Sequence, residues 1–303
     1  MEGAMIERIK ILVILAFSLL ITGCEHDRSN FQIVFAEPDT SPSEFQDDDA
    51  PLRVAISSVL SPTDTVMHYR EIANYLGEQL NRPAILIQRK SYSEINNLMI
   101  KGGADIAFFP TGAYITNRDF EGIEAIAMQE RMGLPYYYGY IVVHSESNMD
   151  SLVDLKGKNV AFTDPSSYSG YLFFEKQLEN IGETPERFLG RYNFTYNHEN
   201  TLNAVVNKIV DGAAVNSFAF DRAKLQQPEL VNRLKIITQS ERIGTGPIVV
   251  RSNLLDEEKK IITESFLSMH EKDNLLPSLQ GLFIDRFVPF EPGLYEVIDE
   301  MDE

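Results

Sequence analysis

Hydroxyl groups crowd into one short stretch of this chain, Asp164-Pro165-Ser166-Ser167-Tyr168-Ser169-Gly170. The apolar run Asn159-Val160-Ala161-Phe162 before it reads as a buried strand, and Tyr171 to Leu178 after it carries apolar residues at helical spacing. Such a turn presents the OH groups of Ser167, Tyr168 and Ser169 beside the unpaired N–H groups of a first helical turn. The helix dipole adds partial positive charge, so a small oxyanion can be held there without lysine or arginine. An ordinary serine N-cap is the plainer account of the same residues and, taken alone, the better one. The rest of the chain decides between them.

Other chemistries fit less well. Ser167 or Ser169, His198 and Asp211 occur in a hydrolase-like order, but no Gly-x-Ser-x-Gly elbow accompanies them, and order alone is weak evidence for an enzyme. The five histidines (His26, His68, His144, His198, His270) lack metal-type spacing, and His198-Glu199-Asn200-Thr201-Leu202 lacks the second histidine of a zinc helix. No metal and no cofactor is expected. Asp211 suits strand-end packing.

The elements that position these residues need a globular body. The chain has 303 residues, 44% hydrophobic and 24% charged, enough for two domains of ordinary size. Forty-five acidic residues against 27 basic give a net charge of −18. That balance, with no basic run, excludes a nucleic-acid partner and leaves any anion to be held by local groups.

The N-terminus sets the compartment. Arg8 and Lys10 precede an apolar core, Ile11 to Leu20, of signal-peptide length, followed by Ile21-Thr22-Gly23-Cys24. This resembles the bacterial lipobox, which implies that Cys24, the only cysteine, is lipidated and holds the protein on the extracytoplasmic face of the cell membrane. Residues 1–23 are then the signal peptide. Residues 24–50, polar and acidic, form a disordered tether with a reach on the order of 30 Å.

The body begins at residue 51. Strand and helix patterns alternate: strand Leu52–Ser57, helix Thr63–Asn81, strand Ala84–Gln88, helix Tyr92–Lys101 and strand Asp105–Phe109. A second block holds strand Asn159–Thr163, helix Gly170–Asn180, strand Tyr192–Tyr196, helix Thr201–Val210 and strands at Ala213–Ser217 and Leu234–Thr238. Asp256–His270 reads as a helix with an aspartate cap. The class is α/β with largely parallel pairing.

The ordered set of short motifs resembles the phosphate/phosphite/phosphonate substrate-binding proteins of ABC transporters, within the type II periplasmic-binding fold. The motifs are the opening strand with Ser61-Pro62, Lys90-Ser91-Tyr92, Ala104-Asp105-Ile106-Ala107-Phe108, and Leu155-Lys156-Gly157-Lys158 leading to the hydroxyl-rich turn. Asn197-His198-Glu199, Val210-Asp211-Gly212-Ala213-Ala214 and Gly246-Pro247-Ile248-Val249-Val250-Arg251 follow. The resemblance covers about residues 52–270. It implies two lobes, each a mixed sheet flanked by helices, with 51–144 plus 243–303 in the first lobe and 145–242 in the second. Tyr140–Val143 and the region near Gly244 would cross between them. It further implies a monomer that takes a small oxyanion into the interlobe cleft and docks on an ABC permease. The same fold feeding a membrane signalling protein is the alternative, and a Ser/His hydrolase a remote one.

Carried over by position, the oxyanion-holding triplet is Ser167-Tyr168-Ser169, assisted by His198, with aromatic walls from Tyr92 and Tyr137 and a contribution from Ser61. His198 also suits a helix start, Tyr92 and Tyr137 also suit the core, and Ser61 serves equally as a cap. Tyr168 stands where the family has a small threonine. Relatives that take an aminoalkyl phosphonate place acidic residues where Ser217 or Phe218, and Gly246, stand here, which argues against 2-aminoethylphosphonate as ligand.

Overall fold

The run Leu52-Arg53-Val54-Ala55-Ile56-Ser57 is buried at every position but Arg53, as a central strand covered on both faces requires. It opens a computed structural model that describes residues 50–57 and 62–296. The expected signal peptide with Cys24, the expected tether before residue 50, Ser61 and the tail after Glu296 lie outside the described residues.

In chain order the strands are β1 (Leu52–Ser57), β2 (Ala84–Arg89), β3 (Ile106–Phe108), β4 (Ile123–Glu130), β5 (Tyr136–Tyr137), β6 (Gly139–His144), β7 (Asn159–Phe162), β8 (Arg191–Phe194), β9 (Gly212–Asn216), β10 (Leu234–Gln239), β11 (Ile243–Gly244), β12 (Pro247–Arg251) and β13 (Arg286–Pro289). The helices are α1 (Pro62–Gln79), α2 (Tyr92–Ile100), α3 (Thr111–Ile115), α4 (Phe173–Glu179), α5 (Pro185–Phe188), α6 (His198–Val206), α7 (Ser217–Gln226), α8 (Pro228–Val231), α9 (Asp256–Leu267) and α10 (Leu276–Gly281). Among the described residues no helix is long and apolar enough to cross a membrane.

Two mixed sheets result. The first runs β13-β4-β12-β3-β1-β2 and the second β10-β6-β9-β7-β8. Pairing is parallel from β1 to β2 and β3, where α1 and α2 supply the crossovers that parallel neighbours need. It is antiparallel where β12 enters between β3 and β4 and where β13 closes the edge. The second sheet repeats the mixture, with β7 parallel to β8 and β9 but β6 antiparallel to β9 and β10. Pairing is therefore less parallel than alternation alone suggests, because the chain returns to each sheet from a distance.

The return paths define the crossing. β6 hydrogen-bonds in the second sheet, so Gly139–His144 does not belong with the first, and the connection lies at 131–138 rather than at 140–143. There β5 pairs antiparallel with β11, Tyr137 against Ile243 and Tyr136 against Gly244. The two connections thus form a short ribbon.

Helix faces fill the spaces beside the sheets. Tyr69, Ile72, Tyr75 and Leu76 of α1 pack with Ile262 and Phe266 of α9 against β1 and β3. On the opposite face, Tyr92, Ile95 and Met99 of α2 cover Ala55 and Ala107. Helix α2 starts with a capping box: Glu94 N–H donates to Ser91 Oγ at 3.3 Å, and Ser91 N–H to Glu94 Oε2 at 2.9 Å. At α9, Asp256 is the first helical residue and Leu255 occupies the cap position expected for it. A buried ion cluster ties three strands: Asp105, 1% exposed, meets Arg53 at 2.9 Å and Arg251 at 2.5 Å.

Candidate functional site

Strand β7 ends against the hydroxyl-rich turn. Tyr171 N–H and Leu172 N–H both donate to Ser167 O at 3.0 Å, which widens the first turn, Tyr168–Leu172, into a π-helix that runs into α4. Such widened turns are frequent at functional sites. Gly170 makes the fold possible: a Cβ there would stand 2.6 Å from Thr163 Cβ. Ser167 Oγ accepts Gly170 N–H at 3.1 Å, so Ser167 is the N-cap that the plainer sequence account expects. Ser169 is different. It is 1% exposed, and its Oγ lies beside the Tyr137 hydroxyl but completes no hydrogen bond. A buried hydroxyl left unpaired costs roughly 1–3 kcal/mol, which an incoming acceptor can recover.

His198 begins α6 one residue after the Asn197 cap, whose Oδ1 accepts Asn200 N–H at 3.0 Å. The ring is 2% exposed. Asn216 N–H donates to His198 Nδ1 at 3.2 Å, and Thr163 Oγ1 lies 3.0 Å from the same atom. A backbone N–H can only donate, so Nδ1 is the acceptor and the proton sits on Nε2. Burial lowers the imidazole pKa to about 4, which keeps it neutral at physiological pH. The ring therefore offers Nε2–H as a neutral donor.

These groups line one cavity of about 120 Å³ with Tyr92, Tyr137 and Tyr168. That is comparable with the ~150 Å³ that accommodates benzene in an engineered protein, and suits a ligand of a few heavy atoms. Tyr137 lies edge-on to Tyr168 at 6.5 Å and tilted against Phe218 at 6.0 Å, forming an aromatic wall. Burial raises the phenol pKa of Tyr92 and of Tyr137. The Ser167 hydroxyl beside Tyr92, and the Thr111 and Ser169 hydroxyls beside Tyr137, oppose the rise. Six of the residues read from the sequence thus line one cavity: Ser167, Tyr168, Ser169, His198, Tyr92 and Tyr137.

The wall is assembled from both sheets. Asp164 Oδ2 accepts Tyr92 N–H, at the start of α2, at 3.1 Å, while Oδ1 accepts Ser166 N–H at 2.8 Å. Burial pushes the Asp164 carboxyl up, and both N–H bonds oppose this. Gly112 of α3 sits directly against the turn: a Cβ there would fall 2.2 Å from Ser166 O and 2.5 Å from Tyr168 N. Both are backbone atoms, so neither can rotate away.

A hydrolytic triad is not assembled. Asp211 Oδ2 accepts Asn159 N–H at 2.8 Å, the strand-end role, and His198 Nδ1 meets no carboxylate. Among the described residues no group of three or more His, Cys, Asp or Glu side chains could hold a metal. Ser217 is absent from the cavity lining; its Oγ accepts Tyr138 N–H at 3.1 Å, while Phe218 and Gly246 do line the space. Among the described residues no Asp or Glu lines the cavity.

The profile of the periplasmic phosphonate substrate-binding proteins of ABC transporters matches residues 54–295. The chain belongs to this family. Its members are substrate-binding proteins. A phosphonates-binding periplasmic protein of Escherichia coli is 33% identical over 145 residues, 45% of this chain and 41% of that protein. A phosphate-import protein of Mycolicibacterium smegmatis is 24% identical over 211 residues, 65% of this chain and 64% of that protein. The chain thus spans less than two thirds of the length of both curated relatives. The crystal structure of a binding protein component of an ABC phosphonate transporter from Pseudomonas aeruginosa superposes with a TM-score of 0.72 at 25% identity, over 84% of this chain and 86% of that one. The two-lobed α/β architecture is that of the family.

Several lining residues escape the sequence reading, among them the two charged ones, Arg131 and Arg222. The expectation of a site without arginine is wrong for the cavity as a whole. Arg131 follows β4 at the start of the crossing, and Arg222 lies on α7 one turn beyond Phe218. The one available signal, for Arg222, is that i, i+4 spacing after Phe218, which the structure places at the start of α7.

Proposed function

We propose that this protein is an extracytoplasmic binding protein, anchored through lipidated Cys24, that captures phosphite, phosphate or a small phosphonate and delivers it to an ABC permease. The observation that carries the reading is the Ser169 hydroxyl, buried and unpartnered on a cavity wall that also presents His198. Neutral donors around a buried oxyanion can satisfy its several acceptors. The names of the two curated relatives, one for phosphonates and one for phosphate, support the ligand class. The absence of acidic lining residues among the described residues supports exclusion of 2-aminoethylphosphonate, whose ammonium would lack a partner there. Contacts from both sheets suit a ligand that favours the closed arrangement of two lobes.

The test is a thermal-shift series on the full chain with phosphite, phosphate, methylphosphonate, 2-aminoethylphosphonate and sulfate. A ligand at 100 times its Kd adds about 2.7 kcal/mol of stability, a shift that is easily read. A rise with phosphite, phosphate or methylphosphonate that is lost in Ser169→Ala supports the proposal. No rise with any of them overturns it. For the anchor, Cys24→Ser should move the protein from the membrane to the soluble fraction; unchanged membrane association would overturn that part.

A further inference from the structure

The cavity carries two guanidinium groups that the hydroxyl-rich turn does not use. Arg131 donates through one terminal nitrogen to Leu282 O and Phe283 O, and through the other to Gln129 Oε1. The Tyr69 hydroxyl lies beside it. No carboxylate lies within ion-pair distance of Arg131 among the described residues. Arg222 reaches Glu199 Oε1 at 2.6 Å and lies over the Phe283 ring at 4.5 Å, yet its Nε is buried and has no partner.

Two cations therefore share a cavity with one ion-paired carboxylate between them, Glu199, which is not a lining residue; Asp285 acts on Arg131 only from beyond ion-pair distance. Burying an uncompensated charge is expensive, and an anion entering the space offsets the cost. The arginines are also built on different supports from the serines. The Ser167 hydroxyl lies beside that of Tyr92, and the Tyr69 hydroxyl lies beside Arg131. On the other wall Ser169 neighbours Tyr137, Tyr137 packs on Phe218, and Arg222 is one helical turn further, about 6 Å along the axis. Tyr69, Tyr92, Tyr137 and Phe218 line the same cavity as the serines and the two guanidinium groups.

We propose that Arg131 and Arg222 form a second anion subsite that selects phosphonates carrying a carboxylate at the other end of a short alkyl chain. The inference rests on the proposed oxyanion site at Ser167–Ser169 and deepens it. A guanidinium fork matches a carboxylate in two parallel hydrogen bonds, and the free Arg222 Nε is a donor of the required kind. The same charges repel an aminoalkyl tail.

Titration calorimetry of the full chain with phosphonoacetate and with methylphosphonate tests this. The expected result is that phosphonoacetate binds at least about tenfold more tightly, and that in Arg222→Gln the ratio of the two dissociation constants falls to about one. Arg131→Lys keeps the charge, loses the fork and should lower the ratio in part; Arg222→Gln carries the test alone should that variant not fold. Equal affinities in the wild type, or an Arg222→Gln ratio equal to that of the wild type, overturn the second subsite and leave the first standing. Loss of both ligands in parallel in Arg222→Gln shows that the arginines hold the same oxyanion as the serines, which also overturns it. Failure of the wild type to bind either compound overturns the oxyanion site and this inference with it.

Discussion

Acid should destabilise this protein through His198, and the size of the effect follows from its surroundings. In the unfolded chain an imidazole takes up its proton near pH 6.5, whereas burial in the fold holds His198 at about 4. Between those values the unfolded state binds the extra proton and the folded state does not. Stability from this residue is therefore fully present above about pH 6.5, declines as the pH falls, and is gone below about pH 4. The gap corresponds to about 3 kcal/mol at one pKa unit per ~1.4 kcal/mol. The cause is structural: Nδ1 must remain an acceptor for Asn216 N–H at 3.2 Å, and the ring is 2% exposed. Replacing His198 with asparagine preserves an acceptor near Nδ1 and removes the titration. Urea unfolding of ligand-free wild type and His198→Asn, at pH values from 7.5 to 4, should show the difference in stability shrinking or reversing by about 3 kcal/mol as the pH drops. Parallel curves for the two proteins, or an NMR titration of His198 near pH 6.5, would refute the reasoning.

Other substitutions separate the parts of the account. Ser169→Ala should weaken oxyanion binding by about 1.5–3 kcal/mol, roughly 10- to 100-fold in Kd, without lowering the Tm of the free protein, because the hydroxyl it removes is unpartnered; a lower Tm with unchanged Kd would show a packing role. Gly112→Ala drives a methyl into the backbone at Ser166 and Tyr168, so ligand affinity should fall while the fold, followed by circular dichroism, is retained; unchanged affinity would mean that this contact does not govern the cleft. Asp105→Ala leaves Arg53 and Arg251 without their shared partner and should cost about 3–5 kcal/mol in urea unfolding. Burial pushes the Asp105 carboxyl up, but the Arg53 and Arg251 partners prevail and hold it below its ordinary value. Its contribution is therefore present above the ordinary carboxylate range and lost as the pH falls through the lowered value, and wild type but not Asp105→Ala should show that acid loss.

Much of the site was legible because its parts are local. A strand end, a hydroxyl-rich turn and a helix start lie within a dozen residues, and their chemistry can be stated before any tertiary contact is known. Tyr92 and His198 each stand at a helix start with a side-chain cap, Ser91 and Asn197, which fixes where they point from. Local signals could not say which serine would be consumed as the cap, since Ser167 and Ser169 differ only in which of them meets Gly170 N–H. They could not find Arg131 and Arg222 either. Those side chains reach the cavity because the end of β4 and α7 both meet Phe283, which lies 152 residues from Arg131. The placement of β6 failed for a related reason: an apolar strand of six residues is equally at home in either sheet, and its partners β9 and β10 lie about 70 to 100 residues further on.

A crystal structure of the full chain grown with methylphosphonate tests the central claim most directly. The account predicts the phosphonate group in the cavity, with an oxygen within hydrogen-bond distance of Ser169 Oγ and another of His198 Nε2. A phosphonate held elsewhere on the protein, or a cavity that stays empty at saturating ligand, would contradict it.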